Sequence, residues 1–222
     1  MKLVDIGANL THTSFHADGD HVLARAREAG VSPIVVTGTS VAESQAALEL
    51  ALRHPDQEKW FVAQLDLAVS IRKPVFLHSR DAHPRFSQIV SSYKELKGVA
   101  HCFTGSKEEL HAYLDLGLYI GITGWICDER RGRHLLDLIK DIPREKLLLE
   151  TDAPYLTPRD MKPQPKARRN EPAFLPHIAA TVARAIGRPA EEVAAETYRN
   201  ALAFFSIDES RAASPSHRPL AA

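Results

Sequence analysis

The stretch Lys73–His83, KPVFLHSRDAH, decides how this chain is read. Val75, Phe76 and Leu77 form a short apolar run suited to a buried strand, and the run ends in His78, with Ser79, Arg80 and Asp81 next. Two further runs end in the same style. GVAHCFTG (Gly98–Gly105) reaches His101, and LLLETDAPY (Leu147–Tyr155) reaches Glu150 and Asp152. In a parallel α/β sheet all strand C-termini emerge on one face, so these residues converge although they are far apart in sequence. Two imidazoles and a carboxylate can hold a divalent cation and leave positions open for water and substrate. Each residue alone has a plainer alternative: a hydrogen-bonded structural His, or an Asp that caps the turn before Ala153-Pro154. Three equivalent placements together favour a shared metal site.

The rest of the chain supplies the scaffold for that site. Strand candidates are Leu3–Ile6, Pro33–Thr37, Pro74–His78, Gly98–Cys102, Leu118–Ile122 and Lys146–Thr151. Amphipathic segments with recognisable ends lie between them. Ser40 with Glu43, and Ser106 with Glu109, have the spacing of capping boxes, while Gly30 and Gly117 stand where a helix-ending glycine belongs. The alternation predicts a parallel sheet with helices outside. Thr157–Pro172, rich in Pro and basic residues, reads as a long loop, and helices follow at about Ala173–Ile186 and Ala190–Phe205. One domain over residues 1–206 is expected. Residues 207–222 lack periodicity and are expected to form a disordered tail.

Composition bounds the function. The 222 residues are 44% hydrophobic and 25% charged, which fits a soluble domain with a proper core. Lys plus Arg (28) equal Asp plus Glu (28), so nucleic-acid contacts would have to be local. Two cysteines, no signal-like start and no long apolar run point to a cytoplasmic protein without a membrane span.

DIGANLT, PVFLHSRDAH, AHCFTGS, YIGITGWICDERRG, LLLETDAPYLTPRD and RRNEPAFLPHI together resemble the TatD family of metal-dependent deoxyribonucleases, most closely its TatD branch. The resemblance runs from about Lys2 to Phe205. It implies an amidohydrolase-like, TIM-type (β/α) barrel and hydrolysis of phosphodiester bonds in DNA, with RNA also a substrate. It further implies 3′–5′ exonuclease action on single strands, and a divalent metal, usually Mg²⁺, with Mn²⁺ or Zn²⁺ as alternatives. His78, His101 and Asp152 fall on the family's metal and catalytic positions. Asp152 is then a ligand or the base that takes a proton from water. Glu150 has two open readings, structural or part of the site. Arg80, Arg130, Arg131, Arg168 and Arg169 sit in loops expected on the site face, where a guanidinium can clamp phosphate or simply stay solvated. Trp125 can stack a base or pack under the rim.

Two departures from the family pattern stand out. Where many relatives carry His-x-His at the end of the first strand, this chain has Gly7 and Asn9; Asn9 can offer its amide to a ligand, or serve only as a turn residue. The second departure is an apparent loss of two βα units, one of which normally bears a metal-binding glutamate. Only six strands are countable, and helical patterns meet across His54–Gln57 with no strand between. An incomplete barrel with two open sheet edges is therefore expected, with self-association through those edges. Alternatives to the nuclease are a catalytically impaired remnant that binds nucleic acid or a partner, and another amidohydrolase-like hydrolysis.

Overall fold

Among the described residues six parallel strands carry the fold: β1 (Leu3–Ala8), β2 (Val31–Val36), β3 (Val75–His78), β4 (Gly98–His101), β5 (Tyr119–Ile122) and β6 (Leu147–Leu149). The computed structural model describes residues 1–36, 57–165 and 168–209. All six expected strands are present, with ends shifted by at most two residues. The capping-box segment expected from Ser40, and most of the expected tail, lie outside the described residues.

Helices α1 (Gly19–Glu28), α2 (Gln57–Ser70), α3 (Arg85–Val90), α4 (Lys107–Asp115), the single turn α5 (Leu135–Leu138), α6 (Leu175–Ile186) and α7 (Ala190–Phe205) fill the connections. Ser106 accepts from the Glu109 N–H while the Glu109 carboxylate accepts from the Ser106 N–H, so α4 starts at the expected capping box. Gly30 (φ +79°) and Gly117 (φ +78°) take the left-handed conformation that ends α1 and α4. No helix among the described residues is long and apolar enough to cross a membrane.

Strands β3, β4, β5 and β6 pair in that order, and β1 pairs with β2. The chain just past β6 joins the two groups: the Asp152 N–H donates to Gly7 O (2.8 Å) and the Asn9 N–H donates to Ala153 O (2.7 Å). The sequence is thus β2-β1-β6-β5-β4-β3, the order of a (β/α) barrel opened between β2 and β3. Among the described residues nothing pairs β2 with β3. That gap coincides with the stretch where the family pattern leads one to expect two further βα units.

Side chains alternate across the sheet. Leu3, Leu77, Ala100, Ile120 and Leu149 belong to the larger core, packed with Leu110, Ile178 and Val182 of the helices. Val4, Ile6, Val99 and Leu148 face the other way, onto Tyr198, Leu202 and Phe204 near the end of α7, with Phe76 and Phe205 packed beside them. The last turn of α7 therefore plugs the concave side of the sheet.

Candidate active site

His78 and His101 are directly paired in the β3–β4 register, and their ring centroids lie 5.8 Å apart. Both share a face with Phe76 and Val99, so they stand at the rim of the concave side. The Phe76 ring lies 5.3 Å from that of His101. His78 is exposed and His101 nearly covered. Partial desolvation of its ring, then the neighbouring His101 and Arg80 charges, hold His78 below the ordinary imidazole range even though the residue as a whole is exposed. Burial pulls His101 the same way, but the Glu150 charge, its hydrogen bond and the Asp152 charge outweigh it and raise His101.

Glu150 is the residue that organises this rim. Its side chain is fully buried. One carboxylate oxygen meets His101 Nδ1 at 2.6 Å and the other accepts from the Cys102 N–H at 2.7 Å. Room for it comes from two glycines on flanking strands: a Cβ at Gly7 or at Gly121 would lie 2.5 Å from a Glu150 oxygen. At Gly7 the carboxylate of Glu150 thus occupies the space that a Cβ would take. The contact fixes the His101 ring and turns Nε2 toward Asp152, whose Oδ1 is 3.8 Å away. Of the two readings open for Glu150, the two glycines that make room for it on neighbouring strands favour a place in the site.

Asp152 sits in the left-handed region (φ +57°), which swings its carboxylate back over the rim. Burial raises it to about 6, with His101 opposing and Glu150 adding. Below it Asp5, a wholly buried acid on β1, accepts from the N–H groups of Gly7 and Thr151 and from the Thr151 hydroxyl at 2.5 Å. Burial nonetheless pushes Asp5 up to about 7. Asp5 ties β1 to the turn that carries Asp152, and nothing local in the sequence marks it for that task.

A nitrogen and an oxygen donor 3.8 Å apart, with the far imidazole nitrogen already engaged, suit a divalent cation. His78, His101 and Asp152 do not yet converge, however. Among the described residues the one group of His, Cys, Asp and Glu whose ligating atoms all lie within 4.8 Å is Cys127, Asp160 and His177.

The remaining expected residues divide by location. Arg80 is exposed and lines a cleft of about 440 Å³ with Ser79, His101 and Tyr113. Arg130 is largely exposed, 3.6 Å from Asp128. Arg169 is a correction to the expected phosphate clamps. Its guanidinium is bonded to both carboxylate oxygens of Asp18 (2.8 and 2.7 Å) and to Glu171 (2.8 Å), and it lies over the Phe15 ring. Those donors anchor the long loop to α1 and are spent. Asn9 is buried at the end of β1, its amide oxygen accepting from the Thr11 hydroxyl. Trp125 packs against the main core under Arg131, which favours the rim reading over base stacking.

Comparison with known proteins shows the family and the fold. The profile of TatD-related DNases matches residues 52–206. A relative named "3'-5' ssDNA/RNA exonuclease TatD" from Erwinia tasmaniensis is 44% identical, covering 92% of this chain and 100% of its own length. One of the same name from Klebsiella pneumoniae is also 44% identical, covering 93% and 98%. Each alignment runs over 259 residues, more than the 222 of this chain, so these relatives carry positions absent here. The crystal structure of a TatD homologue from Escherichia coli K12 superposes with a TM-score of 0.75 at 24% identity, covering 93% of this chain and 98% of that one. An uncharacterized amidohydrolase from Saccharomyces cerevisiae gives 0.77 at 21%, covering 92% and 100%.

Proposed function

This chain belongs to the family of TatD-related DNases, and we propose on that premise that it hydrolyses phosphodiester bonds of single-stranded DNA or RNA from the 3′ end, with a divalent metal. The observation that carries the reading is the rim itself: His78 and His101 in register on adjacent parallel strands, and Asp152 3.8 Å from His101 Nε2. Two relatives named as exonucleases support the polarity and the substrate. The alternative of binding without turnover draws no support from them.

In this reading His101 and Asp152 hold the cation and His78 completes the nitrogen donors. The cation, Mg²⁺ first and Mn²⁺ or Zn²⁺ as alternatives, supplies a Lewis acid for the phosphate oxygen and acidifies water. Glu150 keeps the His101 proton on Nδ1 and so leaves Nε2 free to donate its lone pair. Asp152, within reach of the same space, accepts the proton of the attacking water. Arg80 makes no ion pair among the described residues and contacts the scissile phosphate or its neighbour. Arg130 serves a phosphate farther along the strand, and Asn9 orients water or substrate at the end of β1. A cytoplasmic location is part of the proposal and agrees with two free cysteines.

The test is release of mononucleotides from single-stranded DNA labelled at either end. Release starting at the 3′ end, requiring Mg²⁺ or Mn²⁺, stopped by chelator and lowered at least about 10-fold in Asp152→Asn is expected. An unchanged rate in chelator, or in Asp152→Asn, would overturn the assignment. Calorimetric titration with Mn²⁺ should show weakened binding in both His78→Ala and His101→Ala.

A further inference from the structure

Three segments that share no residue with the strand-end site bring a second donor set together. Cys127 ends the short turn after β5 and is buried. Asp160 lies in the loop after β6, and His177 in the first turn of α6. Their sulfur, oxygen and nitrogen atoms all lie within 4.8 Å of one another. We propose that Cys127, Asp160 and His177 form a second cation site, for Zn²⁺ or a cation of similar softness.

The donor chemistry selects that class. A thiolate and an imidazole favour zinc-like cations over Mg²⁺ or Ca²⁺, and three protein donors leave a fourth position for water. That position falls on the open side, since the Asp160 and His177 side chains are 40% and 28% exposed. Without a cation the group is held by hydrogen bonds. His177 Nε2 meets Asp160 Oδ1 at 2.7 Å, and the Cys127 thiol faces the Thr181 hydroxyl at 3.6 Å. Cation entry displaces the thiol proton to solvent and opens the His177–Asp160 contact, which the exposed Asp160 side chain can accommodate by turning. The loop around Asp160 is already closed on itself: the Gln164 amide donates to the carbonyls of Pro158, Arg159 and Met161. A cation here would clamp that loop to α6, beside the segment that leads out of Asp152.

Titration of the full chain with Co²⁺ tests the site, because a thiolate ligand gives a near-ultraviolet charge-transfer band that nitrogen and oxygen ligands do not. One equivalent with this band is expected. Cys127→Ser should abolish it, while His78→Ala should keep it. Asp160→Asn, a change on an exposed side chain, should weaken Co²⁺ binding roughly tenfold or more with the circular dichroism unchanged. A folded wild-type chain without the band overturns the proposal and leaves the cluster as a hydrogen-bonded loop tether. So does a band that survives Cys127→Ser and vanishes in Cys102→Ser, which would put the cation at the strand-end site instead.

Discussion

The two flanks of the sheet are built to different standards. From β3 to β6 the strands pair without register breaks, and His78, His101, Glu150 and Asp152 all project from their ends or the residues just beyond. On the other flank the β1–β2 ladder shifts register twice within six residues, and β2 contains Pro33, which has no N–H to give a neighbour. The regular flank carries the chemical groups. The irregular one supplies what they lean on: Gly7 makes room for Glu150, and Asp5 holds the turn before Asp152. Among the described residues the sheet is open between β2 and β3, so the cost falls on His78, at the open edge.

The largest effect should come from closing that edge. Along β3 a groove of about 560 Å³ runs beside Phe61, Leu65, Val75 and Phe76, and Leu67 on α2 and Ile71 just after it are more than half exposed. Apolar side chains beside an unpaired strand invite association. The chain as written should express poorly, self-associate, and degrade single-stranded DNA slowly with Mg²⁺. Inserting a TatD-like pair of βα units at the start of α2, between Gln57 and Glu58, should restore a monomer and raise the rate by about 10–100-fold or more, the scale set by loss of even an indirect metal partner. Analytical ultracentrifugation and the exonuclease assay read the two effects. A monomeric parent as fast as the insertion variant would sink this account.

Next in size is Glu150, where both flanks meet. Glu150→Ala strips His101 Nδ1 and the Cys102 N–H of their partner inside the protein, and removing one member of a buried pair typically costs about 3–5 kcal/mol. Glu150→Gln keeps the volume and should cost less stability while still lowering activity about 10–100-fold, because the His101 tautomer is no longer enforced. Chemical denaturation and the nuclease assay separate the two. Equal stability in all three proteins would show that Glu150 is not the hub of the rim.

What the sequence made legible, and what it hid, follows the same division. Strand positions, the Ser106 capping box, Gly30 and Gly117 are written in short-range patterns of apolar residues, caps and turns, and so could be read directly. His78, His101 and Asp152 were readable because each follows an apolar strand. Asp5, the committed role of Arg169 and the Cys127–Asp160–His177 cluster depend on residues up to about 150 positions apart meeting in space, and nothing in any one segment reports such a meeting. Glu150 stood between these cases, since its partners are two glycines that leave a gap and a histidine on another strand.

Gly7→Ala tests the irregular flank with a single methyl. The added Cβ would stand 2.5 Å from Glu150 Oε2 and 3.4 Å from the Phe76 ring, and Glu150 has no free side to move to, because Gly121 closes it on the other. Overpacking of this kind costs about 1–3 kcal/mol. Thermal unfolding should show a lower midpoint than wild type, and the double variant Gly7→Ala/Glu150→Ala, in which the clashing carboxylate is gone, should lose less than the two single changes added together. Strict additivity would mean that the two residues do not compete for the same space.

The smallest effect belongs to the chain end, and where it begins can be stated to the residue. Ile207 donates its N–H to Leu202 O (2.9 Å) and packs against the plug formed by Tyr198, Leu202 and Phe204, on the same face of the sheet as His78 and His101. The tail expected from residue 207 starts one residue later, since Ile207 packs and the apolar pattern stops after it. Ending the chain at Ile207 should therefore leave the thermal midpoint and the nuclease rate within error. Ending it at Phe205 removes a half-buried Ile and the last bond of the plug, worth about 1 kcal/mol, or roughly 2–4 °C for a protein of this size. Because Phe76 touches both Phe205 and His101, that shorter chain should also lose some activity. A midpoint drop of more than a few degrees on ending at Ile207 would show that the tail packs onto the domain, and equal midpoints for the two truncations would show that the plug ends before Ile207.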